Sequence, residues 1–226
     1  MKIAMMMAAA GIATTAAAQT DLFAEDFEGA DQFSTSVLQF SDGGGDFWFE
    51  TGGAFSTGGF VEYFGADGNF FNGMDLDGEG AGLPLIQTFD TFNIGGFTGL
   101  EFSIDLAEDD SSDGSEDFDD IDFVAFEYSL DGGSFVEFAR VGSIDVNVPF
   151  NSAPAFNGVE VTNEFATFSV DLAGVVGSTL AVRAVWNLNS GDEDLAIDNV
   201  TVTGIPAPAS AALLGLGGLA AARRRR

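Results

Sequence analysis

The chain has 226 residues, 46% of them hydrophobic, with 36 Asp and Glu against 7 Lys and Arg, and neither His nor Cys. That apolar content supports a packed core and excludes wholesale disorder, and the length allows one ordinary domain or two small ones. Without Cys or His there is no disulfide, cysteine nucleophile, imidazole base, Ser-His-Asp triad or His-ligated zinc or haem.

Residues 1–18 read as a secretory signal. Lys2 and the amino terminus form a positive start, Ile3 to Ile12 an apolar helix-length stretch, and Ala16-Ala17-Ala18 a small-residue cleavage site before Gln19. Signal peptidase is the partner this pattern implies, and export is the expected outcome.

The body, residues 19–204, carries apolar residues at period two rather than 3.6. Phe102, Ile104 and Leu106 share a strand face, as do Val124, Phe126 and Tyr128. Ala166, Phe168, Val170 and Leu172 share another, and Val182, Ala184, Trp186 and Leu188 a fourth. Turn signals fall between them at Asp42-Gly43-Gly44-Gly45, Gly52-Gly53, Asp131-Gly132-Gly133 and Gly191-Asp192. About eleven short strands at hairpin spacing predict an all-β fold, a two-sheet antiparallel sandwich of jelly-roll type. The 24 Phe all lie in this body and are expected to fill the space between sheets.

Charge is segregated. All 36 acids lie between Asp21 and Asp198, where the only basic residues are Arg140 and Arg183. Two arginines cannot neutralise a phosphate track, so nucleic acid is excluded as a partner. Acid-rich, Gly-rich loops instead suit Ca²⁺, which takes six to eight oxygens at flexible geometry. One candidate is the Glu108–Asp122 stretch, where Asp109, Ser111, Asp113 and then Asp120 follow the spacing of an EF-type loop, although the flanks read as strands. Asp75 and Asp77, in an Asp/Gly turn, are another. The competing reading is a solvated acidic surface of the kind that salt-rich surroundings favour.

Aromatic residues able to stack on sugar rings are Trp48, Tyr63 and Tyr128, with Trp186 assigned to the core. Trp48 in the core is the competing and better-weighted reading, because Trp is highly buried on average. An enzyme built from these residues would have to use paired carboxylates, as glycosidases do. The Glu-x-Asp-x-x-Glu arrangement of concanavalin-like glucanases is absent, since Glu101, Asp105 and Glu108 have the wrong spacing.

Asp21–Gly29 and Asp194–Val202 resemble the first and last strands of secreted jelly-roll modules, including carbohydrate-binding, MAM-like and concanavalin-like domains. The stretches Phe102–Asp110 and Phe126–Gly133 are similar to β-sandwich modules of secreted bacterial proteins. The resemblance implies a structural Ca²⁺ joining an acid near the start, Glu28 or Asp26, to Asp198 of the closing strand.

The chain ends in Pro206-Ala207-Pro208, the small apolar run Ala209–Ala222, and Arg223, Arg224, Arg225 and Arg226. The run is shorter than the roughly 20 residues of a spanning helix, and terminal arginines stay cytoplasmic. This three-part order over residues 205–226 resembles the PEP-CTERM sorting signal, with Ala207 where that family carries Glu. It implies transient membrane insertion of a short hydrophobic helix and an exosortase-type membrane enzyme as partner. The sequence thus predicts an exported, non-catalytic protein of the cell envelope, cell surface or extracellular matrix that associates with exopolysaccharide. The alternative is a carboxylate-based glycan-active enzyme of concanavalin-like fold.

Overall fold

The computed structural model describes residues 18–42, 45–52, 61–77, 80–109, 118–145 and 152–207. Ala16, Ser111, Asp113, Pro208, the four terminal arginines and both expected terminal helices lie outside the described residues.

Period-two patterning becomes fifteen strands in two antiparallel sheets, with no helix among the described residues. The first sheet runs in the order β13 (Ala166–Asp171), β8 (Phe97–Ala107), β15 (Asp194–Pro206), β5 (Asn69–Met74), β4 (Phe47–Gly52) and β3 (Phe40–Ser41). The opening strand β1 (Thr20–Glu25) lies along the later half of β15, with Glu25 opposite Val200 and Thr20 opposite Gly204. The second sheet runs β12 (Val159–Glu160), β11 (Pro154–Phe156), β10 (Val136–Ser143), β9 (Phe123–Leu130), β14 (Thr179–Asn187), β6 (Leu85–Phe89) and β2 (Phe33–Thr35). The short β7 (Phe92–Asn93) pairs with the start of β14.

Side chains of alternate residues point to opposite faces of a strand, and the inward set of each sheet meets the other in one core. Phe102, Ile104 and Leu106 of β8 and Leu195, Ile197 and Val200 of β15 pack with Val124 and Phe126 of β9 and with Val182, Ala184 and Trp186 of β14. Trp48, Phe71 and Trp186 form a chain of ring contacts across this space, with centroids 5.4 and 5.9 Å apart. Gly73 is required beside them. A Cβ there would lie 2.9 Å from Trp48 Cδ1 and 3.0 Å from Leu76 Cδ2. Gly73→Ala should therefore lower stability by about 1–3 kcal/mol through overpacking, read as a lower midpoint in urea.

A second, smaller core covers the outer face of the first sheet. Phe47, Phe70, Met74, Ala107 and Ala196 project there and are roofed by Val61 and Tyr63. The roof is tied down where Phe64 and Phe165 exchange backbone contacts, Phe64 N–H donating to Asn163 and Phe165 N–H to Phe64. Both faces of β4 are thus buried, which is why Phe47 and Trp48 are each fully enclosed.

The outer face of the second sheet holds both described arginines. Arg183 bonds Glu127 across the strand pair at 2.6 Å and lies 4.0 Å over the Phe135 ring. Arg140 bonds Glu137 at 2.7 Å and lies 4.0 Å over the Phe123 ring.

Candidate functional site: buried carboxyl groupings

Asp198 stands on β15 two residues beyond Ala196, so it shares the outer face of the first sheet. The strand breaks register immediately afterwards, where Asn199 adopts a left-handed conformation (φ 48°). Such a bulge re-aims side chains. Here it lets the Asn199 N–H donate to Asp198 Oδ1 at 2.7 Å while its amide Nδ2 donates to Asp105 Oδ2 at 2.9 Å. Asp105, directly opposite Asp198 on β8, also accepts from the Thr167 hydroxyl at 2.6 Å.

The turn after β1 brings the other acids. Glu25 is buried and accepts from the Phe27 and Gln32 N–H groups at 2.8 and 2.6 Å, which shapes the turn around Phe27 (φ 54°). Asp26 and Glu28 follow in the turn, both exposed. Glu28 accepts from the Asn69 N–H, and its carboxylate lies against Gly68, where a Cβ would displace it.

Asp198 is 2% exposed. Burial pushes its carboxyl up to about 7, with repulsion from Asp105, Glu28 and Asp26 adding to the shift and the Asn199 N–H opposing it. The two described arginines are committed to Glu127 and Glu137 on the other sheet. This grouping therefore favours either a bound proton or a hard cation. Asp105 stands directly opposite Asp198, whereas Glu28 and Asp26, the acids expected beside Asp198, are exposed and reach it as charges that raise its carboxyl.

A second grouping lies at the end of the molecule where β5 leaves the sheet. Asp75 (φ 45°) is pushed up to about 6, first by burial and then by Asp46 and Asp77. Asp77 itself is exposed. Asp46 is the member that sequence spacing did not suggest.

The acid-rich stretch after β8 splits. Asp109 is 4% exposed, and its N–H donates at 3.1 Å to Asp194 Oδ1, which also accepts from the Tyr63 hydroxyl at 2.6 Å. Asp120 is exposed. The strands β8 and β9 flank this loop, so no helix–loop–helix frame surrounds it.

Trp48 and Tyr63 correct the expectation of a sugar-stacking surface. Both are fully buried, Trp48 between the sheets and Tyr63 in the roof over the first sheet. The run Phe47-Trp48-Phe49 has no polar face, and the segment carrying Tyr63 folds back to cover what an open sheet would have exposed. Burial, followed by the Asp194 charge, holds the Tyr63 phenol well above its ordinary pKa, as a neutral donor.

Among the described residues no three acidic side chains converge closely enough to chelate a metal ion by themselves. Any cation would have to draw further oxygens from the backbone and water, as Ca²⁺ does.

No protein family and no curated protein matches the sequence significantly. Solved structures do resemble the fold. A cyclase from Fischerella sp. TAU aligns at TM-score 0.50 and 14% identity over 84% of this chain and all of its own. A cleaved adhesin domain of Lys-gingipain from Porphyromonas gingivalis aligns at TM-score 0.44 and 12% identity, covering 82% of this chain and 99% of its own. A Stig cyclase from the same Fischerella aligns at TM-score 0.45 and 16% identity, over 78% and 86% of the two chains. At such identities the likeness to the first of these speaks for the two-sheet architecture alone.

Millimolar Ca²⁺ should raise the melting temperature well beyond NaCl of equal ionic strength, and Asp198→Asn should remove most of that excess. Equal shifts from the two salts would leave only screening of the acidic surface.

Proposed function

We propose that this chain is an exported, non-catalytic jelly-roll β-sandwich of the cell surface or extracellular matrix, released by signal peptidase and sorted through its PEP-CTERM-like end. Its role is association with exopolysaccharide or the cell surface, with Ca²⁺ as a structural ion between the opening turn and the closing strand.

The observation that carries this reading is the Asp198 grouping. A buried carboxyl near the charges of Asp105, Glu28 and Asp26 has no cationic side chain to compensate it among the described residues, and a Ca²⁺-rich exterior would supply one. The terminal patterns at Ala16-Ala17-Ala18 and Pro206-Ala207-Pro208 support the same compartment.

A glycosidase reading finds its best case in Asp122 and Glu193, whose carboxyls have different raised pKa values, as an acid–base pair would. Both are buried, at 3% and 4% exposure, and among the described residues they carry no open cleft residue with them that would present a sugar. With Trp48 and Tyr63 buried, polysaccharide contact falls to other surfaces, and Phe64 at 45% exposure is the most open aromatic ring among the described residues.

Mass spectrometry of both termini of the natively produced protein tests the proposal. A start at Gln19 and loss of the arginine end, in protein recovered from the cell surface or medium, support it. Cytosolic protein carrying Met1 and Arg226 overturns it. Retention of the same protein on the producer's own exopolysaccharide tests the association separately.

A further inference from the structure

We propose that residue 19 is a modification site: once signal cleavage leaves Gln19 first in the chain, its α-amine closes on its own side-chain amide to form pyroglutamate. This inference rests on the cleavage reading above and goes beyond it by assigning a chemical fate to the new end.

Gln carries its amide carbon where the residue's own amine can reach it in a five-membered ring. A free α-amine titrates at about 8, so near neutral pH part of it is the uncharged nucleophile. Its lone pair bonds to Gln19 Cδ, the Cδ–Nε2 bond breaks, and Nε2 leaves as ammonia with the proton given up by the attacking nitrogen. The product is a neutral lactam, and the N-terminal charge is gone. No oxidant, metal or second substrate enters the step.

The fold leaves this residue free to react. The ladder between β1 and β15 begins at Thr20, opposite Gly204, so Gln19 lies just outside it. Ala18, Gln19 and Thr20 are all exposed. The Gln19 side chain is tethered at the surface, its Nε2 donating to the Thr203 hydroxyl at 2.6 Å, and an exposed bond of this kind exchanges readily with water.

The next residues show what a closed end protects. From Thr20 to Glu25 the chain is one strand laid along β15. Phe23, the third residue inside it from Asp21, is 6% exposed and stacks on Phe92 with centroids 5.1 Å apart. Chain ends are where proteolysis concentrates. An aminopeptidase working inward from a free amine would remove β1 stepwise and open the core at Phe23. A lactam offers that enzyme no amine.

Mass spectrometry of the N-terminal peptide of the natively produced protein decides the matter. The expected peptide starts at residue 19, is lighter than one with free Gln by one ammonia, and becomes open to stepwise degradation only after treatment with pyroglutamyl aminopeptidase. A Gln19 start with a free amine overturns this inference alone, whereas a start at any other residue overturns the cleavage reading with it. Gln19→Ala keeps a small residue after the cleavage point but cannot close. With its fold checked by near-UV circular dichroism, it should be shortened past Phe23 by an aminopeptidase and lose Tm, while the parent chain stays intact. Equal resistance of the folded variant and the parent would overturn the protective role of the ring.

Discussion

In EDTA at low ionic strength, the melting temperature should fall by roughly 10 °C as pH rises from 5 to 8. The cause is a set of carboxyls whose folded pKa values lie above their unfolded ones: Glu193 at about 8, Asp198 at about 7, and Asp122 and Asp75 at about 6. Burial is the largest contribution in every case, with neighbouring acids adding to it. The folded state then holds more protons than the unfolded state between pH 4 and 8, so stability declines with pH across that interval. The favourable contribution is complete below the unfolded carboxyl range and is lost as pH passes each folded value. One pKa unit corresponds to about 1.4 kcal/mol, and the members of each coupled group share their shifts, so a net loss of about 3 kcal/mol is the expected scale. Thermal melts followed by circular dichroism at half-unit pH steps provide the check. Glu193→Gln, which fixes the neutral form, should flatten the decline between pH 6.5 and 8. A melting temperature that rises with pH would mean these acids are charged and satisfied in the fold.

Trp48→Ala and Trp186→Ala should each cost about 3–5 kcal/mol, a large share of the 5–15 kcal/mol that holds a typical domain together. Both rings are fully enclosed, and both contact Phe71, so removing either leaves a cavity between the sheets. The phenylalanine variants should behave differently. The indole N–H of each Trp is buried without an acceptor among the described residues, so Trp48→Phe gives up ring area but also removes that unsatisfied donor. Its expected cost is about 1 kcal/mol, read from urea midpoints at constant slope. This pair of variants also separates packing from sugar contact. If Trp48→Ala abolishes retention on polysaccharide while Trp48→Phe retains it, the alanine effect is one of folding. Loss with a folded Trp48→Phe would return Trp48 to the surface as a ligand platform.

The strands were legible because their apolar residues alternate against polar ones, and the inward faces of β8, β9 and β14 fall where that alternation puts them. The partnership of β1 with β15 was legible through a resemblance to jelly-roll modules. Coverage of the outer face was not legible. Nothing local in Val61-Glu62-Tyr63 announces that it will roof Phe47 and Phe70, since the contacts are distant in sequence and lack a periodic signal. The acids were hardest to sort, because Asp and Glu at a strand edge usually mean solvent. Asp105 lies between Ile104 and Leu106 of one strand repeat, and Glu193 follows the Gly191-Asp192 turn signal without a mark of its own. Only the bulge at Asn199 and the return of the 188–193 loop show which carboxyls are enclosed.

The placement of Arg140 and Arg183 has an orientational consequence. Both guanidiniums sit on one broad side, whereas Asp105 and Asp198 belong to the opposite side and Asp75, Asp122 and Glu193 to one tip. The arginine side therefore gives a polyanionic surface no unpaired positive charge to align on among the described residues, because each guanidinium is met by a carboxylate of its own sheet.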